Sequence, residues 1–275
     1  MAILVISVLF LVGSGSIVLI AASQRGLAWR DPQALASLNR DPSILGCLML
    51  AQATSMVLTA LLAAWLSPVP ARQRLALTPG GLPGWRLWAV GGAATVAAIG
   101  AGGAAEAAAL MWTGGELSSH LLSFQDAFKA AHGGSLLLLA SGAVIAAPLG
   151  EELFFRGYVQ SRLVARWGPA AGLVISSLLF AAAHMDVMHA LAILPVGLVL
   201  GYIALRTGSI WTSMGIHAAN NTLAILSAGG AQEAAFDASG YLRWSLFYAV
   251  VASLALCAVH QLTRESSVKP SDTRM

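Results

Sequence analysis

Four short clusters of ionisable and amide side chains interrupt an otherwise apolar sequence. The first, "APLGEELFFRGY" at residues 147–158, carries Glu151, Glu152 and Arg156 directly after the run "SLLLLASGAVIAAPLG". The second, "FAAAH", gives Phe180 and His184; the third, "HAANN", gives His217, Asn220 and Asn221; "HMDVMH" adds Asp186 and His189. Ionisable groups are costly in hydrocarbon, so inside apolar helices they face a cavity or a partner and mark function by default. Glu152 and Arg156, Phe180 and His184, and His217 and Asn221 are each four residues apart, hence on one helix face. A carboxylate that meets an imidazole in such a setting can activate a water molecule, with the glutamate as base. His217 and Asn221 on a further helix could then donate to a developing oxyanion. Asn220, three residues from His217, lies near the same face, and helical geometry alone does not separate the two asparagines.

Depth links Glu151 to His184. A turn falls near Trp167-Gly168-Pro169; Glu151 lies 16 residues before Trp167 and His184 lies 17 after it. In an antiparallel hairpin the two groups come to about the same level. Glu152 and Arg156 also admit a plainer role, as a buried ion pair that fixes the bundle. Asp186 and His189 fall near a helix end and read as interfacial. The soluble signatures H-E-x-x-H and G-x-S-x-G are absent.

The elements that must position these groups are membrane helices. The 275 residues are 57% hydrophobic and 10% charged, far below the quarter that soluble domains carry. Mean hydropathy is +0.76. A net charge of +3, dispersed along the chain, excludes a nucleic-acid partner and leaves membrane lipid as the surrounding medium. Cys47 and Cys257 sit in apolar runs as small hydrophobes, not as a disulfide or a metal site. The N-terminal run has no basic segment ahead of it and reads as a retained helix.

A spanning helix needs about 20 apolar residues. That length predicts an all-α polytopic bundle of about eight spans, near 2–22, 43–66, 87–112, 135–158, 170–188, 190–206, 209–227 and 243–262. The fifth and sixth are parted only by "MDVMH", and Pro195 can kink the sixth without harm in a packed bundle. Residues 1–262 form one membrane domain and 263–275 a disordered cytoplasmic tail. Runs such as "GGAATVAAIGAGGAAEAAA" (91–109) and Gly197-Leu-Val-Leu-Gly201 predict close helix packing, and Glu106 is an interfacial acid near the outer end of the third helix. Trp211 and Tyr202 read as interface or packing residues.

Basic residues set the expected orientation. Arg72, Arg74, Arg86, Arg162, Arg166, Arg206, Arg264, Lys269 and Arg274 fall on one side, against Arg25, Arg30, Arg40, Lys129 and Arg243 on the other. Both termini are therefore expected in the cytoplasm of a bacterial plasma (inner) membrane protein, although three arginines in the first loop pull the other way.

"EELFFR", "FAAAH" and "HAANN", in that order and with "GLVLGYIALRTGSIW" between the last two, resemble the CPBP family of intramembrane proteases. That family, also called ABI, includes CAAX prenyl endopeptidases and bacteriocin-processing or self-immunity proteins. The resemblance covers about residues 141–226. It implies that Glu151 is the water-activating base, that His184 helps hold the water, and that His217 and Asn221 stabilise the oxyanion. Glu152, Arg156, Phe180 and Asn220 would support them. The implied substrate is a membrane-associated protein or peptide, with or without a lipid modification.

Family members are often labelled metalloproteases, and Glu151, His184 and His217 offer O, N and N donors for zinc or another divalent metal. The same residues can work without metal, as a glutamate–histidine pair beside an oxyanion hole, which suits the H-x-x-x-N spacing because Asn is a poor zinc ligand. Two other classes compete: a non-catalytic immunity or maturation scaffold, and a proton-coupled transporter. No internal hydropathy repeat supports the transporter, and a scaffold has no need of a base.

Overall fold

A computed structural model describes residues 2–27, 37–230 and 237–264, which contain helices and no strand. The helices are α1 (Ala2–Gln24), α2 (Pro42–Trp65), a short α3 (Ala71–Arg74), α4 (Gly84–Thr113) and α5 (Ser119–Ala130). Next come α6 (a helical run over Gly133–Ala182), α7 (Val187–Thr207), α8 (Ile210–Gly230) and α9 (Ala238–Arg264). A 3-10 turn over Leu38–Arg40 leads into α2.

Five of these, α2, α4, α6, α7 and α9, are long and apolar enough to cross a membrane among the described residues. The expected count of eight is thus not reproduced. Part of the difference is one folded-over run. α6 has 50 residues, but at Gly168 the backbone leaves helical space (φ 83°, ψ 169°) and Pro169 comes next. The chain doubles back there: Ser176 Oγ on the second arm donates to Gln160 Oε1 on the first at 3.0 Å. The turn expected near Trp167-Gly168-Pro169 is therefore present. α8, which carries His217, Asn220 and Asn221 in its apolar sequence, and α1 are not among the five.

Other boundaries shift for local reasons. The second arm of α6 ends at Ala182, not 188, because Met185 takes a left-handed φ of 55°. Asp186 then caps α7, its carboxylate accepting from His189 N–H at 2.7 Å. His184 therefore lies in the turn between two helices. The first two residues of the expected disordered tail are helical, since α9 runs to Arg264. Residues 265–275, with Lys269 and Arg274, lie outside the described residues, as does Arg30. α5 has no counterpart among the expected spans: it is amphipathic, is capped by Ser118 and stacks Phe124 on Phe128. Glu106 is exposed seven residues before the end of α4. Cys47 and Cys257 are free thiols.

α4 is the spine of one half, packing Val90, Ala94, Ala97 and Ala98 against Val196, Val199, Leu200 and Ile203 of α7 and Val259 of α9. The other half joins α2 to the first arm of α6 through missing side chains. A Cβ on Gly46 would meet the backbone of Leu138 and Leu139, and one on Gly142 would press on Met49. A Cβ on Gly150 would lie 2.8 Å from both Cα and O of Ala53. Close approach of this kind lets one helix lay its polar groups on another's carbonyls.

Gly150 sits one residue before Glu151, and Ala53 offers backbone, which cannot move aside. Gly150→Ala is expected to destabilise the protein by about 1–3 kcal/mol, the range for overpacking. Thermal melting of the purified variant in detergent measures it.

Candidate active site

The first arm of α6 is not a plain α-helix near the acidic pair. It passes through π turns, whose N–H groups bond five residues back, at Gly142–Ala146 and again at Glu152–Gln160. Between them stands the short α-helical stretch Ala147–Glu151. The second π segment buries Glu152, Arg156 and Gln160, spaced four apart, toward α7 and α8.

Glu152 is the hub. It has 0% exposure, and its Oε1 accepts from Arg156 Nη1 at 2.9 Å and from His217 Nδ1 at 3.0 Å. Arg156 Nη2 donates onward to the Gly197 carbonyl at 3.1 Å, and its guanidinium lies over the Phe180 ring, 4.2 Å from the centroid. One turn further, Gln160 Nε2 donates to the Gly201 carbonyl at 2.9 Å. Gly197 and Gly201, read from sequence as packing residues, thus present backbone acceptors that any side chain would cover. Sequence reasoning missed Gln160; its spacing of four from Arg156 was the available signal.

His217 joins the two glutamates. With Nδ1–H given to Glu152, its Nε2 stands 3.8 Å from Glu151 Oε2. Both side chains are buried, Glu151 at 8% and His217 at 4% exposure. Phe180 sets its ring edge-on to Phe155, His184 and His217, with centroids 5.3, 5.1 and 5.9 Å away. His184 Nδ1 is hydrogen-bonded to the Phe180 carbonyl at 2.9 Å, and its ring lies 4.9 Å from that of His189. The half-buried Asn221 donates through Nδ2 to the Ala143 carbonyl at 2.9 Å; Asn220, also half-buried, neighbours it.

The eight residues picked from sequence therefore gather where α6, α7 and α8 meet, but with different pairings. Glu151 is placed against His217, and His184 against Phe180 and His189. Glu152 is both ion-pair partner and histidine support. The zinc reading asks Glu151, His184 and His217 to converge on one point. Among the described residues no group of three His, Cys, Asp or Glu is arranged to hold a metal ion.

Removing one partner of a buried pair leaves the other charge uncompensated, at about 3–5 kcal/mol. Glu152→Gln and Arg156→Gln are each expected to fall in that range by thermal melting. The double variant is expected to lose clearly less than the two single losses added together, because it leaves no lone charge.

Residues 133–223, which hold all eight site residues, match the family model described as Type II CAAX prenyl endopeptidase Rce1-like. No curated protein and no solved structure matches the chain. The apolar helices and this match make the chain an integral membrane protein. Over that third of its length it carries the signature of the CPBP/CAAX protease family, the same family that its motifs resemble.

Proposed function

We propose that this protein is an intramembrane endopeptidase that hydrolyses a peptide bond of a membrane-associated protein or peptide, with Glu151 as the base. The observation that carries this reading is the approach of Glu151 Oε2 to His217 Nε2, with the far nitrogen of the imidazole held by Glu152. Glu151 takes a proton from water as the water oxygen attacks the scissile carbonyl carbon. The carbonyl oxygen becomes an oxyanion, and His217 Nε2–H donates to it. When the C–N bond breaks, Glu151 returns the proton to the departing amine. His184, its ring oriented by the bond from Nδ1 to the Phe180 carbonyl, helps hold the water.

Charge supports the same assignment. With His217 protonated, the buried set of Glu151, Glu152, Arg156 and His217 sums to zero, which limits the penalty of burying it. A scaffold would gain nothing from a second buried carboxylate beside that imidazole.

The orientation we infer puts the tryptophan- and arginine-rich end in the cytoplasm. Trp65, Trp85, Trp88, Trp167 and Trp211, all exposed, fall at helix ends that meet there. Ile210 N–H bonds to Ala76 O, Trp211 Nε1–H to Leu77 O, and Gly81 N–H to Thr207 O. Arg206 donates to the Thr263 carbonyl, so α9 finishes at this end. Arg25 pairs with Asp41 at the opposite end, so α1 begins at the cytoplasmic one.

Membranes containing the wild type or Glu151→Gln, compared by peptide mass spectrometry, test the function. Fragments present only with the wild type are expected; Glu151→Gln releasing them at a near wild-type rate would sink the base assignment. A farnesylated CAAX peptide assayed beside its unmodified twin reads the need for a lipid. His217→Ala is expected to lose ~10²–10³ in turnover, about 2.7–4 kcal/mol of transition-state stabilisation, with a smaller change in KM.

A further inference from the structure

The Ala143 carbonyl lacks both of the regular donors of its own helix. In the π turn Gly142–Ala146 each N–H bonds five residues back, and Ala147 N–H accordingly goes to Gly142 O. The next donor in that register is residue 148, the one that would serve Ala143 O. It is Pro148, which has no N–H. In the α register the donor would be Ala147, already committed to Gly142. Ala143 is 2% exposed, and a buried carbonyl without a partner is destabilising. The side chain that answers it comes from another helix: Asn221 Nδ2 on α8, at 2.9 Å.

We propose that Asn221 is a positioning residue whose amide replaces the missing Pro148 N–H, holds the π turn, and thereby aims Glu151 at His217. Glu151 is three residues past Pro148. A π turn carries one residue more than an α turn, so its collapse would rotate the residues after it by about 100°, one residue's worth of helix. Such a rotation takes Glu151 off the face that meets His217. Asn221 and His217 are one turn apart on α8, so one helix sets both the imidazole and the height of the carboxylate it faces. The inference rests on Glu151 as the base. It adds to the oxyanion role expected of Asn221: Nδ2 carries two hydrogens, and the one on the Ala143 carbonyl acts through Glu151.

A double-mutant cycle separates the two roles. Pro148→Ala restores an N–H at position 148, which can serve Ala143 O when Asn221 cannot. Asn221→Ala is expected to melt a few degrees lower and to release the Glu151-dependent membrane fragments about 100-fold more slowly, the scale of a ~1 Å misplacement. Adding Pro148→Ala should raise Tm more in the Asn221→Ala background than in the wild type, and should recover the part of the lost turnover that comes from misplacing Glu151. Equal Tm gains in the two backgrounds would overturn the proposal. So would a recovered Tm with turnover still at the Asn221→Ala level, the result a donor acting on the oxyanion alone gives. Where Asn221→Ala is not recovered from membranes, Asn221→Asp, which keeps the shape and donates nothing when ionised, takes its place. The Tm arm needs no proteolysis. A failure of the base assignment, read from Glu151→Gln, is therefore distinguishable from a failure of the clamp.

Discussion

An ionised carboxylate cannot stand alone inside a helix bundle, and Glu152, without solvent exposure, is compensated from two directions. Arg156 comes from its own helix and His217 from α8, and both donate to the same oxygen. Each then reaches further: Arg156 to the Gly197 carbonyl on α7, His217 toward Glu151. Three elements are thereby tied to one charge. Replacing such a group by apolar residues often stabilises a protein, so a buried ion pair is poor evidence of stability for its own sake. Its use here is to fix the imidazole. A neutral side chain at 152 could fill the space but could not hold His217 Nδ1–H as a charged acceptor does.

That arrangement depends on backbones coming unusually close. Arg156 and Gln160 find carbonyls on α7 because Gly197 and Gly201 leave them uncovered; a Cβ on Gly201 would lie 2.6 Å from Gln160 Oε1. Gly150 does the same for α2, and Gly157, whose Cβ would lie 2.9 Å from Leu75 O, does it for the loop after α3. Without a strong hydrophobic drive between helices in lipid, packing and hydrogen bonds carry association. The glycines thus serve packing and polar satisfaction together.

The sequence was readable where chemistry is concentrated. Glu151, His184 and His217 stand out because a charge in an apolar run has few innocent explanations, and Gly168-Pro169 is a turn by conformational necessity. The matched-depth count set His184 level with Glu151; the contact seen is an indirect one, Phe180 touching His184 and packing under Arg156 of the neighbouring ion pair. The illegible part traces to one assumption, that α6 keeps a period of 3.6. Two π segments shift the phase, so the partner of each glutamate could not be deduced from spacing. Pro148 was visible, but its meaning depends on which carbonyl it deprives, and that depends on the π register. α5 escaped notice because 12 mixed residues carry no span-length signal. The five spans counted among the described residues leave out α1 and α8 and take the two arms of α6 as one, so eight is not confirmed.

Register also places the site in depth. Arg156 reaches Gly197 and Gln160 reaches Gly201, so the first arm of α6 and α7 run in parallel with an offset of 41 residues. By that offset the start of α7, Val187, is level with Ala146. α6 begins 13 residues earlier, at Gly133, and so rises about 20 Å above that point at 1.5 Å per residue. The Gly46 and Met49 contacts show α2 rising beside it. Glu151 lies just below the tip of the α6–α7 turn, at the foot of this taller wall. For the hydrolysis proposed here, a peptide bond has to descend along the wall to reach the carboxylate. A transmembrane helix keeps its own carbonyls hydrogen-bonded, so only chain that has left the helical state can present one. The depth of Glu151 thereby selects for an extended, membrane-adjacent segment before any side chain of the substrate is read.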